Sequence, residues 1–151
     1  MANRPSSDYP DIGTLGEDLV TQWLESTGWL ILHRRWNCRW GEIDIIAQRK
    51  DNSGTVILIF VEVKTRSTGS WDAGGRMAIA QKKQVKLSRT AAMFLATFPE
   101  KADYPCRFDV AIVCCERKIT NTNSLASFSA RGLYLTLQEY IPAAFEYLID
   151  N

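Results

Sequence analysis

Within "GEIDIIAQRKDNSGTVILIFVEVKTR", residues 41–66, Asp44, Glu62 and Lys64 stand in segments that otherwise read as buried strands. Glu62 and Lys64 are two residues apart, so in a strand both project from one face, roughly 6.8 Å from each other. "KDNSG", 50–54, is a turn signal that makes the flanking segments an antiparallel hairpin. With the hairpin centred near Ser53, Asp44 falls opposite Glu62, where Cβ atoms stand about 4.5–5.5 Å apart and like charges repel. A slip of one residue would send the two to opposite faces, so the pairing rests on the turn. A buried carboxylate without a partner neutralises rather than stay charged, and a divalent cation is one reason to keep two together. Mg²⁺ takes oxygen ligands, commonly one or two carboxylates completed by water and phosphate. Beside such an ion Lys64 would orient or activate a water and stabilise charge on a phosphate. The competing explanation is a Glu62–Lys64 ion pair near a strand end, with Asp44 exposed.

The elements that must position these groups follow from periodicity. Leu15, Leu19, Trp23 and Leu24 have helical spacing, with Thr14 the expected N-cap and Gly28 the stop. Gly16 falls mid-face, where it allows close approach to a sheet, and Glu17 falls at the edge of that face. Strands are expected over 29–36, 41–49 and 55–65. A Gly-rich loop, 67–75, leads to the longest helix, 76–98, with Ala80, Leu87, Ala91 and Phe94 on its buried face. "CRFDVAIVCC", 106–115, is a fourth strand, on which Arg107 and Asp109 share a face as an ion pair. A polar connection over 116–131, a short strand near 133–138 and a terminal helix opened by Pro142 complete the chain. The order αβββαβ(β)α predicts an α/β protein with one mixed sheet covered by helices. Residues 1–11 read as a loose arm and 12–151 as a single domain.

Composition bounds the function classes. With 46% hydrophobic and 23% charged residues in 151, the chain has the make-up of one soluble globular domain. Its longest apolar run, Val56 to Val61, is far short of the ~20 residues of a membrane span. The polar N-terminus has no apolar signal core, so a cytoplasmic location is expected. The four cysteines form no Cys-x-x-Cys pair and read as reduced thiols, not a zinc site. The net charge of +1 hides a segregation: Arg34 to Arg89 carry twelve Lys/Arg against five Asp/Glu, a local +7. That makes an anionic partner plausible for the middle of the chain.

Asp44, then Glu-x-Lys one strand later, behind a helix carrying Glu17, resembles the PD-(D/E)xK nuclease superfamily. The closer resemblance is to the YraN family of bacterial proteins, distantly similar to archaeal Holliday-junction resolvases. It is carried by "GEDLVTQWLESTGWLIL", "GEIDIIA", "IFVEVKTR", "AIAQKKQVKLSRTAAMFL", "RFDVAIV" and "YIPAAF". The resemblance implies a restriction-endonuclease-like fold with an αβββαβ core. It makes Asp44, Glu62 and Glu17 ligands of Mg²⁺ (or Mn²⁺) and Lys64 the catalytic lysine. One stretch departs from the family pattern: "HRRWNCRWGEID" has Arg35 and Asn37 where the family tends to place Asn and then Arg.

Around this centre, Lys82, Lys86 and Arg89 form a basic stripe that either tracks phosphates or is a solvated helix face. Lys83 matches the recurrent lysine of the family's K-x-x-x-L segment and is expected to bind nucleic acid, ahead of the stripe residues. Arg66 and Arg76 bracket the Gly-rich loop and would clamp a phosphate or be solvated. Glu42 is an outer ligand or a solvated edge residue. His33, without a partner pattern, reads as a packed or surface histidine, not a catalyst. Trp36, Trp40 and Trp71 pack on the protein or stack on unpaired bases. Two functions follow. One is a Mg²⁺-dependent endonuclease acting on nucleic acid, DNA above all, at branched or recombination intermediates. The other is a non-catalytic nucleic-acid-binding or protein-interaction module on the same fold. Analogy with the resolvases adds a homodimer.

Overall fold

The computed structural model describes residues 11–67, 80–118 and 123–147. Residues 1–10 of the expected arm, most of the Gly-rich loop, Trp71 and Arg76 lie outside the described residues. Helix α1 spans Ile12–Ser26 and is capped by Asp11, whose carboxylate accepts from Gly13 N at 3.0 Å and Thr14 N at 3.4 Å. Thr14 is therefore not the cap; its hydroxyl donates to Asp11 Oδ2 at 3.0 Å, and Asp11 belongs to the domain. The helix stops where expected, with Gly28 at φ 99°.

Strands β1 (Leu30–Cys38), β2 (Gly41–Lys50) and β3 (Val56–Ser67) follow, then α2 (Gln81–Thr97), β4 (Cys106–Glu116), β5 (Ala126–Ala130) and β6 (Leu133–Phe145). The six strands form one mixed sheet in the order β1-β2-β3-β4-β6-β5, flanked by the two helices, the restriction-endonuclease-like arrangement. Only β3 and β4 are parallel, and α2 lies in the crossover that a parallel pair requires. Leu19, Val20 and Leu24 of α1 pack on one face over Ile45, Ile59, Val61 and Val113. Leu87, Ala91 and Phe94 of α2 pack on the other over Ile46, Leu58, Phe60 and Ile112. Ala80 is not part of that buried face; it is exposed at the helix start. His33 and Trp36 pack against Phe94, as protein-facing side chains.

Two expectations at the C-terminal end are corrected. The stretch 116–131 contains strand β5, and Pro142 opens no helix but lies within β6. Asp109, fully buried, accepts from Arg107 Nε (3.0 Å), Tyr140 Oη (2.6 Å) and Ala143 N (2.9 Å), tying β6 to β4 on both sides of Pro142. Phe145 then stacks on Phe108 at 4.8 Å. The β4–β6 ladder slips between Phe108 and Val110, and β5 pairs with β6 only as far as Leu137. Pro142 thus occupies an irregular strand edge, where a missing N–H is tolerated. No helix among the described residues is long and apolar enough to cross a membrane.

Candidate functional site

The β2–β3 ladder runs from Lys50↔Val56 to Ile45↔Val61 and ends there, although β2 continues to Gly41 beside β1 and β3 continues to Ser67 beside β4. The sheet therefore forks just beyond Ile45 and Val61. Asp44 stands at the branch point. Its Oδ2 accepts the Val63 N–H at 2.8 Å, a side chain taking the place of a ladder carbonyl. The inward-outward alternation of β2 also breaks here: Ile43 packs on the α2 side, whereas Ile45, two residues on, packs on the α1 side. Glu62, one step past the last pair on β3, is buried on the α2 side. The register inferred from the turn at Ser53 holds over the observed ladder, and the fork brings the two carboxylates into hydrogen-bonding reach.

This arrangement is electrostatically costly. Burial, and then the hydrogen bond and charge of Glu62, push the Asp44 carboxyl up to about 8. Lys64 Nζ lies 3.8 Å from Glu62 Oε2, and Lys83 Nζ, from α2, lies 2.5 Å from the same atom. Despite these two cations, Oε2 is buried and accepts no well-aligned hydrogen bond. Burial holds the Lys64 ammonium below its ordinary value, with the Lys83 charge adding to that and Glu62 opposing it. Burial also acts against Lys83, but its close pairing with the Glu62 carboxylate outweighs it, so its pKa is raised.

The carboxylates open on a cavity of about 560 Å³ lined by Asp44, Glu62, Glu42, Gly41, Lys82, Lys83, Lys86 and Thr90. Lys82 and Lys86 thus lie on the same cavity as the carboxylates, while Arg89 turns to the ring of Trp40, 4.8 Å from its centroid. The start of α2 breaks two helix rules. Ala80 at the N-cap offers no side-chain hydrogen bond, and the first turn has no acidic residue. Lys82 and Lys83 occupy positions N2 and N3, where their charge opposes the helix dipole. Arg66 is half-buried near the end of β3, paired with Cys114 of β4.

Glu17 reaches the site from α1. A Cβ on the preceding Gly16 would overlap the Thr65 side chain, so the helix approaches β3 as closely as glycine permits. Glu17 is buried, and Arg35 Nε donates to its Oε1 at 2.8 Å while Arg34 Nη2 stands at 3.6 Å. Its charge raises the Asp44 pKa further, but it does not line the cavity. Among the described residues no three His, Cys, Asp or Glu side chains converge as a ready ligand set. Glu42 also lines the cavity but is exposed and does not converge with the others; the donors that come together are Asp44 and Glu62, two hard oxygen ligands with a buried oxygen still lacking an aligned donor. That set fits a small divalent cation completed by water and phosphate.

Residues 16–113 match "Uncharacterised protein family UPF0102", a span that contains Glu17, Asp44, Glu62, Lys64 and Lys83. The chain is 58% identical over 147 residues to a UPF0102 protein of Trichormus variabilis, covering 93% of this chain and 97% of that protein. It is 60% identical over 140 residues to one of Nostoc sp., covering 92% and 96%, and 43% identical over 164 residues to one of Trichodesmium erythraeum, covering 93% and 91%. The chain belongs to the UPF0102, or YraN, family.

The departure from the YraN pattern at Arg35 has a backbone meaning. Arg35 has φ 53°, the left-handed region in which Asn is at home and Arg is not. The twist sends consecutive guanidinium groups to α1, Arg35 to Glu17 and Arg34 to Asp18 at 2.9 Å with Glu17 at 3.6 Å. Sequence reasoning had no signal for this contact. It also assigned Lys83 to the nucleic acid alone and missed its pairing with Glu62, because nothing local reports a contact across the crossover.

Proposed function

We propose that this protein is a Mg²⁺-dependent nuclease, with Mn²⁺ an alternative ion, that hydrolyses phosphodiester bonds in DNA, at branched or recombination intermediates. The observation that carries this reading is the pair Asp44 and Glu62 at the sheet fork, facing a lysine-lined cavity with Lys64 alongside. Asp44 and Glu62 would hold the cation, which when bound supplies Lewis acidity at a phosphate oxygen. Lys64 orients the attacking water and stabilises charge developing on the phosphate, a task suited to an ammonium held at one edge of the site. Lys82, Lys86 and Arg89 draw the phosphate backbone, and Arg66 adds charge at the end of β3. Glu17, fixed by Arg35, supports the Asp44 side of the fork. On this reading the protein acts in the cytoplasm, with a homodimer as the assembly that matches a two-fold symmetric junction.

The direct Lys83–Glu62 contact favours a second reading, a nucleic-acid-binding module in which an ammonium permanently replaces the cation. Cleavage assays over single-stranded, duplex, flap and four-way-junction substrates with Mg²⁺ or Mn²⁺ separate the two. Activity lost in Glu62→Ala supports the nuclease; cleavage that persists in this variant rejects it.

A further inference from the structure

The cation closest to Glu62 is not its strand neighbour Lys64 but Lys83, from the far side of the parallel crossover, at 2.5 Å against 3.8 Å. Two ammonium groups crowd one buried oxygen that accepts no aligned hydrogen bond, so the contact rests on charge more than on directed bonding. Lys83 stands at the rim of the site and not in its interior. Its side chain is 46% exposed, against 6% for Glu62, and it extends from the first turn of an uncapped helix. An ion seated on Asp44 and Glu62 would bring two positive charges next to Nζ, and like charges at that range repel strongly in a partly desolvated site. The flexible stem would then swing the ammonium off Glu62 and across the cavity that it lines together with Lys82 and Lys86.

We infer that Lys83 is a displaceable counter-ion of Glu62: cation entry expels it, and the freed ammonium binds a phosphate of the nucleic acid. The inference rests on the reading of Asp44 and Glu62 as a cation site. The two ligands are then coupled through one side chain. The cation promotes phosphate binding by releasing Lys83, and by reciprocity the nucleic acid tightens the cation by capturing it. The same step would account for a lysine at N3, where its charge opposes the helix dipole. An arriving phosphate meets that ammonium and the helix N-terminus together.

The test uses the whole protein, with Mg²⁺ alone and a phosphorothioate oligonucleotide that resists hydrolysis as probes. Lys83→Met, and Lys83→Gln as a second variant, should bind Mg²⁺ about tenfold tighter than wild type by calorimetry, since the competing charge is gone. Lys82→Met is the control for loss of charge alone. Among the described residues Lys82 makes no ion pair with Glu62, and its removal should shift Mg²⁺ affinity by no more than about twofold. In wild type, Mg²⁺ should raise oligonucleotide affinity over that in EDTA, and this gain should vanish in both Lys83 variants. The inference is overturned if Lys83 and Lys82 variants bind Mg²⁺ alike, or if the Mg²⁺-dependent gain survives without Lys83. Wild-type protein that binds no Mg²⁺ would overturn the cation site itself, and the inference with it.

Discussion

Asp44 concentrates the cost of the site in one residue. Its carboxyl is pushed up to about 8 by burial and by Glu62, against an ordinary value of 3.8, so the folded state holds a proton that the unfolded state releases. Between these values folding takes up a proton, and stability in the absence of divalent ions should fall as pH rises from about 4 to about 8. Asp44→Asn should flatten that slope and stabilise the protein by about 1–3 kcal/mol at the alkaline end, a figure discounted for its partial exposure. Urea denaturation across this range, with and without EDTA, measures both; an unchanged slope in Asp44→Asn would assign it to another group. Lys64 separates chemistry from binding: Lys64→Met should abolish cleavage and leave nucleic-acid affinity within a few-fold, whereas Asp44→Asn should lose Mg²⁺ binding as well. Activity that co-purifies equally with wild type and Lys64→Met would remove the catalytic role. The alignment of Asp44 with Glu62 was legible because a turn fixes register by simple counting. The fork was not, since the end of a ladder depends on partners elsewhere in the sheet.

Elements were most legible where pattern and tertiary demand agree. The αβββαβ order follows from period and turn residues, and the structure keeps it. Pattern failed at 142–145 because the Asp109 network outweighs the local signal of a helix-opening proline. Asp109→Ala should therefore cost about 3–5 kcal/mol, because it leaves Arg107, the Tyr140 hydroxyl and the Ala143 N–H without their buried acceptor. Tyr140→Phe should cost about 1–2 kcal/mol. Thermal unfolding of both variants checks the ranking, and an Asp109→Ala protein as stable as wild type would show that β6 is held by packing alone. At α1, Gly16→Ala drives a methyl into Thr65 and should destabilise by about 1–3 kcal/mol. It should also weaken Mg²⁺ binding, because the helix that carries Glu17 must lift from β3.

At the scale of the molecule, part of the charge segregation of the sequence becomes geometry: Lys82, Lys83 and Lys86, three of the twelve basic residues of the middle segment, line one cavity from the first turns of α2. Binding to DNA should weaken steeply with salt as condensed counterions are released, by a slope of about 0.9 for each phosphate neutralised on a duplex. Replacing Lys82, Lys86 and Arg89 together by Ala should lower affinity and flatten a plot of log affinity against log salt. A slope equal to wild type would move the binding surface elsewhere. Arg89 complicates that sum in an informative way, since it also rests on Trp40 beside Arg39. Its loss should alter Trp40 fluorescence even without DNA.

The uncapped start of α2 sets a direction for any engineering of this chain. Ala80→Ser and Lys82→Glu are the substitutions that helix design would choose first, each worth about 0.5–1 kcal/mol. A screen for heat resistance alone would therefore accumulate changes in the one turn that the proposed phosphate contacts need left bare. Variants recovered from it should melt higher and hold DNA less well, while a screen that also selects for binding should leave residues 80–83 untouched and find its stability elsewhere.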